Sequence, residues 1–296
     1  MTTPISITDP ADPRLDDVRD LNSSDRRPDL PGGKGLVIAE GKLVVPRLAA
    51  SRFPVRCVVG FADRLAELQD AAAADAAVAR GLEGVPFYEV DRGTLAEVAG
   101  FDMHRGLVAA ADRVPEPPLA EVLDGLTGDG AEGAAGADSA AGTGSRVIGV
   151  LEGVGDHENI GALFRNAAGL GVGAVLLGAG CADPLYRRVV RVSMGHVLRV
   201  PFAHLPGKPT TWQRGLADLQ DRGYRVVAMT PSTETTLAEA VAGADKVAVM
   251  VGAEGPGLTE HAMRAADVRA KIPMAPGTDS LNVATSAAIG FYAAQF

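Results

Sequence analysis

The sequence predicts an α/β protein with two domains joined by a flexible segment. In both halves of the chain, apolar runs of strand length alternate with stretches of helical spacing. Apolar residues make up 47% of the 296 positions, which is enough for two cores. We expect a small α/β domain over residues 1–113, a linker over residues 114–145 and a second α/β domain over residues 146–296.

The first domain begins with a lead-in over residues 1–34 that is rich in Asp, Arg and Pro. Beyond it, apolar runs predict strands at 35–39, 56–59, 85–90 and 107–111. Helical spacing predicts helices at 43–49, 62–80 and 94–99. This alternation is typical of a small layered α/β domain.

The predicted linker opens with Pro115, Pro117 and Pro118, and residues 119–126 have the pattern of a short helix. Residues 128–145 contain almost no large apolar side chain, so they cannot bury enough surface to offset the entropy of ordering. The sequence therefore predicts a flexible connection.

Six apolar runs predict the strands of the second domain: 147–151, 174–177, 198–202, 225–229, 247–251 and 270–272. Because the runs are continuous rather than alternating, both faces of their sheet should be covered. The predicted fold is a mostly parallel sheet flanked by helices, which binds ligands beyond the carboxyl ends of its strands.

Composition narrows the functional classes. The net charge of −9 argues against a protein that coats nucleic acid, but it leaves room for a local basic face. Cys57 and Cys181 provide neither a disulfide framework nor a metal cluster. The first residues lack the apolar core of a signal peptide, and no apolar run is long enough to cross a bilayer. We therefore expect a cytoplasmic protein with no membrane partner and no metal.

Two stretches, 41–60 and 184–217, carry several basic residues and no acid. The first stretch fits either a solvated helix face or a face that contacts phosphates. The second fits either a local positive face for a polyanion or an inter-subunit surface.

Three loops at predicted strand ends carry the most distinctive side chains. In the first loop, Asn159 precedes the helical spacing of residues 160–168, where it is well placed to cap the helix. Arg165 lies off the apolar face, where its donor fork suits a phosphate or a ribose. His157 fits either a solvated side chain or a base.

In the second loop, a buried strand runs into Gly252, Glu254, Gly255 and Gly257, and the glycines allow close backbone approach to a ligand. The pattern is neither the dinucleotide fingerprint GxGxxG nor the phosphate loop GxxxxGK[ST]. In the third loop, Ser280 and Asn282 stand at the entry of a helix of small residues. Helix capping and ligand binding are both open for this pair.

Taken together, the three loops resemble the motifs of the SpoU/TrmH family in the SPOUT superfamily, the trefoil-knotted RNA ribose 2′-O-methyltransferases. Residues 158–167 (ENIGALFRNA) resemble the first motif and residues 251–258 (VGAEGPGL) the second. The third is resembled by residues 272–274 (IPM) followed by 280–284 (SLNVA). The likeness covers residues 146–296. Residues 1–113 resemble, more loosely, the ribosomal-protein-like RNA-binding domain that often precedes such a catalytic domain. The sequence departs at Glu158, where asparagine is frequent.

The resemblance implies S-adenosyl-L-methionine as methyl donor, bound in the knot formed by the second and third motifs. It implies cofactor contacts from Gly252, Gly257, Ile272, Met274 and Leu281. It also implies an active site with Arg165 as the catalytic arginine, completed by Asn159, Glu254, Ser280 and Asn282. The implied partners are RNA, with ribosomal RNA favoured over transfer RNA, and a second copy of the chain that joins through the knot region.

Other functions remain open at this stage. Within the family, the alternatives are a transfer RNA ribose methyltransferase and a methyltransferase that protects ribosomal RNA from an antibiotic. A different class is an RNA-binding protein that kept the fold and lost turnover. A nicotinamide-dependent dehydrogenase would fit the sheet, but the sequence lacks the fingerprint for it.

Overall fold

The computed structural model describes residues 3–22, 35–127 and 145–296. The chain divides into two compact units. The first comprises Met1–Pro115 together with Pro184–Arg199, and the second comprises Glu116–Asp183 together with Val200–Phe296. Most of the stretch predicted to be flexible, 128–144, lies outside the described residues.

The described strands of the first unit form one mixed sheet in the order β1-β4-β3-β5-β2. They are Ile5–Ser6 (β1), Leu36–Glu40 (β2), Val55–Gly60 (β3), Phe87–Glu89 (β4) and Leu107–Asp112 (β5). Strand β5 runs antiparallel to both β2 and β3, while the pairings of β4 are parallel. The helices of this region are Val44–Ala49 (α1), Ala62–Ala74 (α2), Ala76–Gly81 (α3) and Arg92–Ala99 (α4), with a 3-10 helix at Pro13–Val18.

The single helix predicted over residues 62–80 is wrong, because the chain breaks between α2 and α3. Asp75 has an extended backbone (φ −132°, ψ 114°), and its carboxylate accepts the N–H of Ala77 at 2.7 Å. It is therefore an N-cap inside an alanine-rich run. The cap starts a separate helix, α3, which helical spacing alone does not reveal.

From residue 116 onward the described helices are Leu119–Thr127 (α5), His157–Gly169 (α6), Arg187–Val192 (α7), Ala217–Gln220 (α8), Leu237–Val241 (α9), Glu260–Ala265 (α10) and Val283–Gln295 (α11). Short 3-10 helices lie at His196–Leu198 and Trp212–Leu216. The strands are Val147–Leu151 (β6), Ala174–Leu177 (β7), Phe202–His204 (β8), Tyr224–Met229 (β9), Lys246–Val251 (β10) and Val268–Ala270 (β11).

The second unit is built on a parallel sheet in the order β11-β9-β10-β6-β7-β8. Strands β6 and β10 are central, and every residue of β6 is buried, as expected for a sheet covered on both faces. The predicted strand 198–202 is largely wrong. The 3-10 helix His196–Leu198 ends where the strand was predicted to begin, and strand pairing starts only at Phe202, after Pro201, which has no N–H to donate.

Helix α5 corrects the predicted extent of the linker. Its side chains Val122, Leu123 and Leu126 are buried in the hydrophobic core of the second unit. The short helical pattern at 119–126 therefore belongs to that unit, because three apolar residues on one face of the helix give it a place in the core.

Helix α7 and its flanks correct the second predicted domain boundary. The sequence placed residues 184–199 in the second domain, whereas they pack with the first unit. The guanidinium of Arg187 forms an ion pair with the carboxylate of Glu40 at the end of β2, with side chains 11% and 4% exposed. Arg187 also lies 5.2 Å from the centre of the Phe101 ring, and Arg47 donates a hydrogen bond to the backbone oxygen of Met194. These contacts hold the segment in the first unit.

The small residues of α11 are explained by packing on the sheet. A Cβ built on Gly290 would lie 2.6 Å from a methyl carbon of Val249 in β10. Phe291 in turn contacts Gly149 of β6, where an added Cβ would lie 3.0 Å from the ring. The helix therefore approaches β10 and β6 more closely than larger side chains would permit.

Candidate functional site

A hydrogen-bonded cluster joins the three loops that the sequence singled out. Asn159 lies in α6, Glu254 follows β10, and Asn282 immediately precedes α11. The Asn159 side-chain amide donates to Glu254 Oε1 at 2.9 Å. The Asn282 side-chain amide donates to Asn159 Oδ1 at 2.8 Å and to Glu254 Oε1 at 3.2 Å. Each side chain bonds to both of the others, so the three loop positions are fixed relative to each other.

Asn282 both caps its helix and belongs to the cluster. Its Oδ1 accepts the backbone N–H of Ala284 at 2.9 Å and of Thr285 at 3.2 Å, which makes it the N-cap of α11. Its amide nitrogen remains available for Asn159 and Glu254. An asparagine can do both because it carries an acceptor and a donor on the same group. The capping role that the sequence left open is confirmed for Asn282, and ligand binding by this residue stays a prediction.

The predicted capping role of Asn159 is wrong. Asp156 is the N-cap of α6 and accepts the N–H of Glu158 at 2.6 Å. Asn159 lies inside the first turn, buried, with its side chain directed to Glu254 and Asn282. Since a better cap stands three residues earlier, Asn159 is free to serve the cluster.

The glycine-rich loop after β10 has a tightly turned backbone. A Cβ on Gly252 would lie 2.3 Å from the carbonyl carbon of Gly257, a distance that no side chain tolerates. Gly255 and Gly257 have positive φ values of 87° and 70°, and the Gly257 N–H donates to Ala253 O at 3.0 Å. The loop thus needs glycine for close approach at its start and for turning at its middle.

The remaining predicted site residues lie closer to the surface. Arg165 is exposed on α6, and in the described parts of the chain its side chain forms no hydrogen bond or ion pair. Ser280 is exposed and does not cap α11, since that position is taken by Asn282. The predicted cofactor contacts that follow β11 are Ile272 and Met274, both partly buried, and Leu281, which is exposed. The structure therefore brings together three of the five predicted catalytic residues.

Glu152 is a member of this region that the sequence reasoning missed. It follows β6 directly and is only 5% exposed. Its Oε1 accepts the indole N–H of Trp212 and the hydroxyl of Thr259, both at 2.9 Å, and its Oε2 accepts the backbone N–H of Thr259 at 2.8 Å. An acid directly after a buried strand was the available signal, because a buried carboxylate must find donors.

Cys181 lies near the same end of β6, with its thiol 3.5 Å from the backbone oxygen of Leu151. Burial raises the pKa of this thiol to about 11. The group is therefore protonated at neutral pH and is not a nucleophile for the site. Within the described ranges, no group of His, Cys, Asp and Glu side chains is arranged to hold a metal ion.

The basic stretch 41–60 is largely engaged with protein groups. Arg47 donates to the backbone oxygen of Met194, and Arg52 donates to the backbone oxygen of Pro115 at 2.8 Å. Arg56 forms ion pairs with Asp17 and Asp112. Lys42 is exposed, 4.0 Å from a carboxylate oxygen of Glu67. These contacts favour a structural role for the stretch. The second basic stretch, 184–217, is divided between the two units at Arg199.

None of the described helices has both the length and the apolar character needed to cross a bilayer.

Comparison with known proteins gives a consistent family. A profile of the SpoU rRNA methylase family matches residues 146–292. The chain is 52% identical over 289 residues to an uncharacterized tRNA/rRNA methyltransferase of Mycobacterium tuberculosis, an alignment that covers 97% of this chain and 90% of the relative. It is 31% identical over 220 residues to a 23S rRNA (guanosine-2'-O-)-methyltransferase of Ralstonia nicotianae, which covers 74% of this chain and 79% of that protein.

Solved structures show the same fold. An rRNA methyltransferase of Sinorhizobium meliloti with bound AdoMet aligns with a TM-score of 0.71 at 23% identity, over 98% of this chain and 97% of that one. An RNA 2'-O ribose methyltransferase aligns with a TM-score of 0.68 at 27% identity, over 98% of both chains. The predicted fold, a mostly parallel sheet flanked by helices and preceded by a small α/β domain, is confirmed. The motif likeness, the strand order and the relatives agree, and the chain belongs to the SpoU rRNA methylase family, whose members are S-adenosyl-L-methionine-dependent RNA methyltransferases.

Proposed function

We propose that this protein transfers a methyl group from S-adenosyl-L-methionine to a ribose 2′-hydroxyl of ribosomal RNA. The observation that carries the proposal is the cluster of Asn159, Glu254 and Asn282, which ties the three motif loops together at the carboxyl ends of β6 and β10. In open parallel sheets this edge is where ligands bind.

The loop after β10 fits a ligand held through backbone groups. The backbone of Gly257 and Leu258 leaves no space for a side chain at position 252, and the positive φ values of Gly255 and Gly257 turn the backbone sharply. We assign Gly252, Gly257, Ile272, Met274 and Leu281 to the cofactor site. The bound sulfonium would supply an electrophilic methyl group, and the protein's own task is to hold the acceptor oxygen in line with it.

Arg165 is the residue we assign to the RNA. An exposed guanidinium without a protein partner in the described chain is available to a phosphate or ribose oxygen. Its basicity keeps it protonated, so it orients the ribose and stabilises negative charge that develops on the oxygen, and does not act as the base. Glu254 and Asn159 keep the surrounding loops in place, and Ser280 supplies an exposed hydroxyl beside the cap of α11.

We propose that the protein works as a homodimer through the region of α11, as the family resemblance implies. Tyr292 of this helix and Phe296, which directly follows the helix, are exposed with ring centres 5.1 Å apart. They form an apolar surface that suits a second copy. The trefoil knot, the cytoplasmic location and the RNA-binding role of the first domain stay predictions.

Cofactor binding and methyl transfer together test the proposal. Calorimetric titration with S-adenosyl-L-methionine should show binding that NADH does not reproduce. Purified protein with tritiated methyl donor should then label ribosomal RNA from a strain lacking the gene, and mapping should place the label on a ribose 2′-oxygen. Arg165→Ala should retain cofactor binding and lose about 100-fold or more in methyl transfer. Labelling of a base, or near-full turnover by Arg165→Ala, would refute the proposal.

Transfer RNA is the second candidate substrate, because the relative from Mycobacterium tuberculosis is named a tRNA/rRNA methyltransferase. The same assay run with total transfer RNA separates the two. Label in transfer RNA alone would replace ribosomal RNA as the substrate while leaving the reaction unchanged. Cofactor binding without transfer to either RNA would favour the non-catalytic RNA-binding function.

A further inference from the structure

We infer that Glu152 is a positioning residue that clamps both ends of the glycine-rich loop 252–258. The inference rests on the proposed function, since it concerns the loop assigned to the cofactor. Glu152 lies one residue beyond β6, and its backbone N–H donates to the oxygen of Val251, the last residue before the loop, at 3.0 Å. Its carboxylate binds Thr259, the first residue after the loop, through two hydrogen bonds.

The contacts of Glu152 are those of a fully satisfied buried carboxylate. Three donors converge on its two oxygens, namely the indole of Trp212 and the hydroxyl and N–H of Thr259. The Thr259 hydroxyl in turn accepts the N–H of Ala262 at 3.2 Å, which makes Thr259 the N-cap of α10. Glu152 thus connects the end of β6 to the start of α10 across the loop. Hydrogen bonds to a charged acceptor are the strong ones, and burial strengthens them further.

The loop is also held at Glu254, whose carboxylate accepts hydrogen bonds from Asn159 and Asn282, and at Leu258, which is buried in the core of the second unit. Residues 254–257 are exposed, and its internal backbone bond joins Gly257 to Ala253. Glycine-rich backbone gains much entropy when released. The exposed glycine-rich part between these anchors therefore depends on how the ends of the loop are held, and Glu152 binds the residue on each side of the loop. Through the loop, Glu152 acts on Glu254 and on the backbone of Gly252 and Gly257 without contacting a substrate.

The substitution Glu152→Gln tests the carboxylate with little change in shape. The amide oxygen can keep Trp212 and the Thr259 hydroxyl, but the amide nitrogen then faces the Thr259 N–H, donor against donor. The clamp should open at the far end of the loop. Trp212→Phe is the matched control, because it removes one donor from the same carboxylate and leaves both bonds to Thr259.

We expect Glu152→Gln to weaken S-adenosyl-L-methionine binding at least about tenfold and to accelerate amide hydrogen exchange in residues 252–258. Trp212→Phe should leave the cofactor Kd within about twofold of wild type, even if its melting temperature falls as much as that of Glu152→Gln. If Glu152 only supported the core, the two variants would change Kd and loop exchange alike, and that result would overturn the inference. Normal binding and normal loop exchange in Glu152→Gln would do so as well.

A second variant covers the case in which Glu152→Gln does not fold. Thr259→Val removes the hydroxyl bond to Glu152 and should also increase loop exchange and Kd, whereas Thr259→Ser should restore both. If wild-type protein fails to bind the cofactor, the proposed function fails. The exchange of residues 252–258 still tests the clamp in that case, so the two failures are distinguishable.

Discussion

The buried ion pair between Glu40 and Arg187 predicts a large loss of stability in the first unit when the carboxylate is removed. In Glu40→Gln the Arg187 side chain stays 11% exposed but loses its ion pair with the carboxylate of Glu40. Removal of one partner from a buried pair costs about 3–5 kcal/mol. The amide oxygen of glutamine still accepts a hydrogen bond, so we expect about 3 kcal/mol, the lower end of that range.

Asp112→Asn is the matched control, since it makes the same acid-to-amide change in the same sheet. Asp112 is 49% exposed and pairs with Arg56 at 3.1 Å. An exposed pair of this kind contributes about 0–1 kcal/mol. The comparison therefore separates burial from charge.

The assay must report on the first unit. The one tryptophan, Trp212, lies in the second unit, so its fluorescence does not follow the first. Hydrogen exchange of peptides from β2 and α7, together with urea unfolding followed by circular dichroism, measures the loss directly. A Glu40→Gln variant no less stable than Asp112→Asn would refute the reasoning. The double variant Glu40→Leu/Arg187→Met should recover most of the loss, because apolar replacements of a buried pair are often neutral.

Three further predictions concern the second unit. Gly252→Ala should reduce methyl transfer about 100-fold, because the added Cβ would displace Gly257 and Leu258. Gly169→Ala is the control and should be neutral, because an added Cβ there meets nothing within 4 Å. Equal activity of the two variants would contradict the prediction. Asn282→Asp should keep the cap of α11 but put a second carboxylate beside Glu254, so melting temperature should change little while activity is lost. Asn282→Ala should lose activity and also about 1 kcal/mol of stability, because it removes the cap. An active Asn282→Asp would show that the hydrogen bond from the Asn282 amide to Glu254 is not needed for methyl transfer. The hydrogen bond that the His204 imidazole donates to the Glu116 carboxylate raises the pKa of His204 above its ordinary value of 6.5. The stabilisation from this contact is therefore complete below that value and is lost as pH rises through the raised pKa. Melting temperature measured across neutral pH should show that decline in wild type and a flatter profile in Glu116→Gln.

Much of the fold was predictable because its strands are continuous apolar runs. Strands β6 and β10 are the central strands. Helical spacing located α6, and the small residues after Asn282 located α11. The errors occur where one polar or cyclic residue decides the local structure. Asp75 divides a helix that alanine would have continued, and Pro201 delays the start of β8. Such effects depend on a single side chain and are averaged out by any window of sequence.

The cluster of the candidate site was partly predictable, since Asn159, Glu254 and Asn282 each stand in a motif. The hydrogen bonds among them were not, because sequence does not state distances between loops. Glu152 shows the same limit more strongly. Its partners Trp212 and Thr259 lie 60 and 107 residues further along the chain, so only the folded structure reveals that its carboxylate is satisfied.

The segment Pro184–Arg199 has a consequence for the order in which the chain becomes native during synthesis. Glu40 and Arg187 are separated by 147 positions, so the first unit lacks its buried counter-charge until the ribosome has released residues well beyond the end of that unit's own sheet. Domains generally mature from the N-terminus as they emerge. Here the N-terminal sheet is complete before Arg187 is synthesised, so the Glu40 carboxylate at the end of β2 stays hydrated until then. A fragment that ends at Pro115 would lack Arg187, the ion-pair partner of Glu40, and we expect its structure to be least stable at the end of β2.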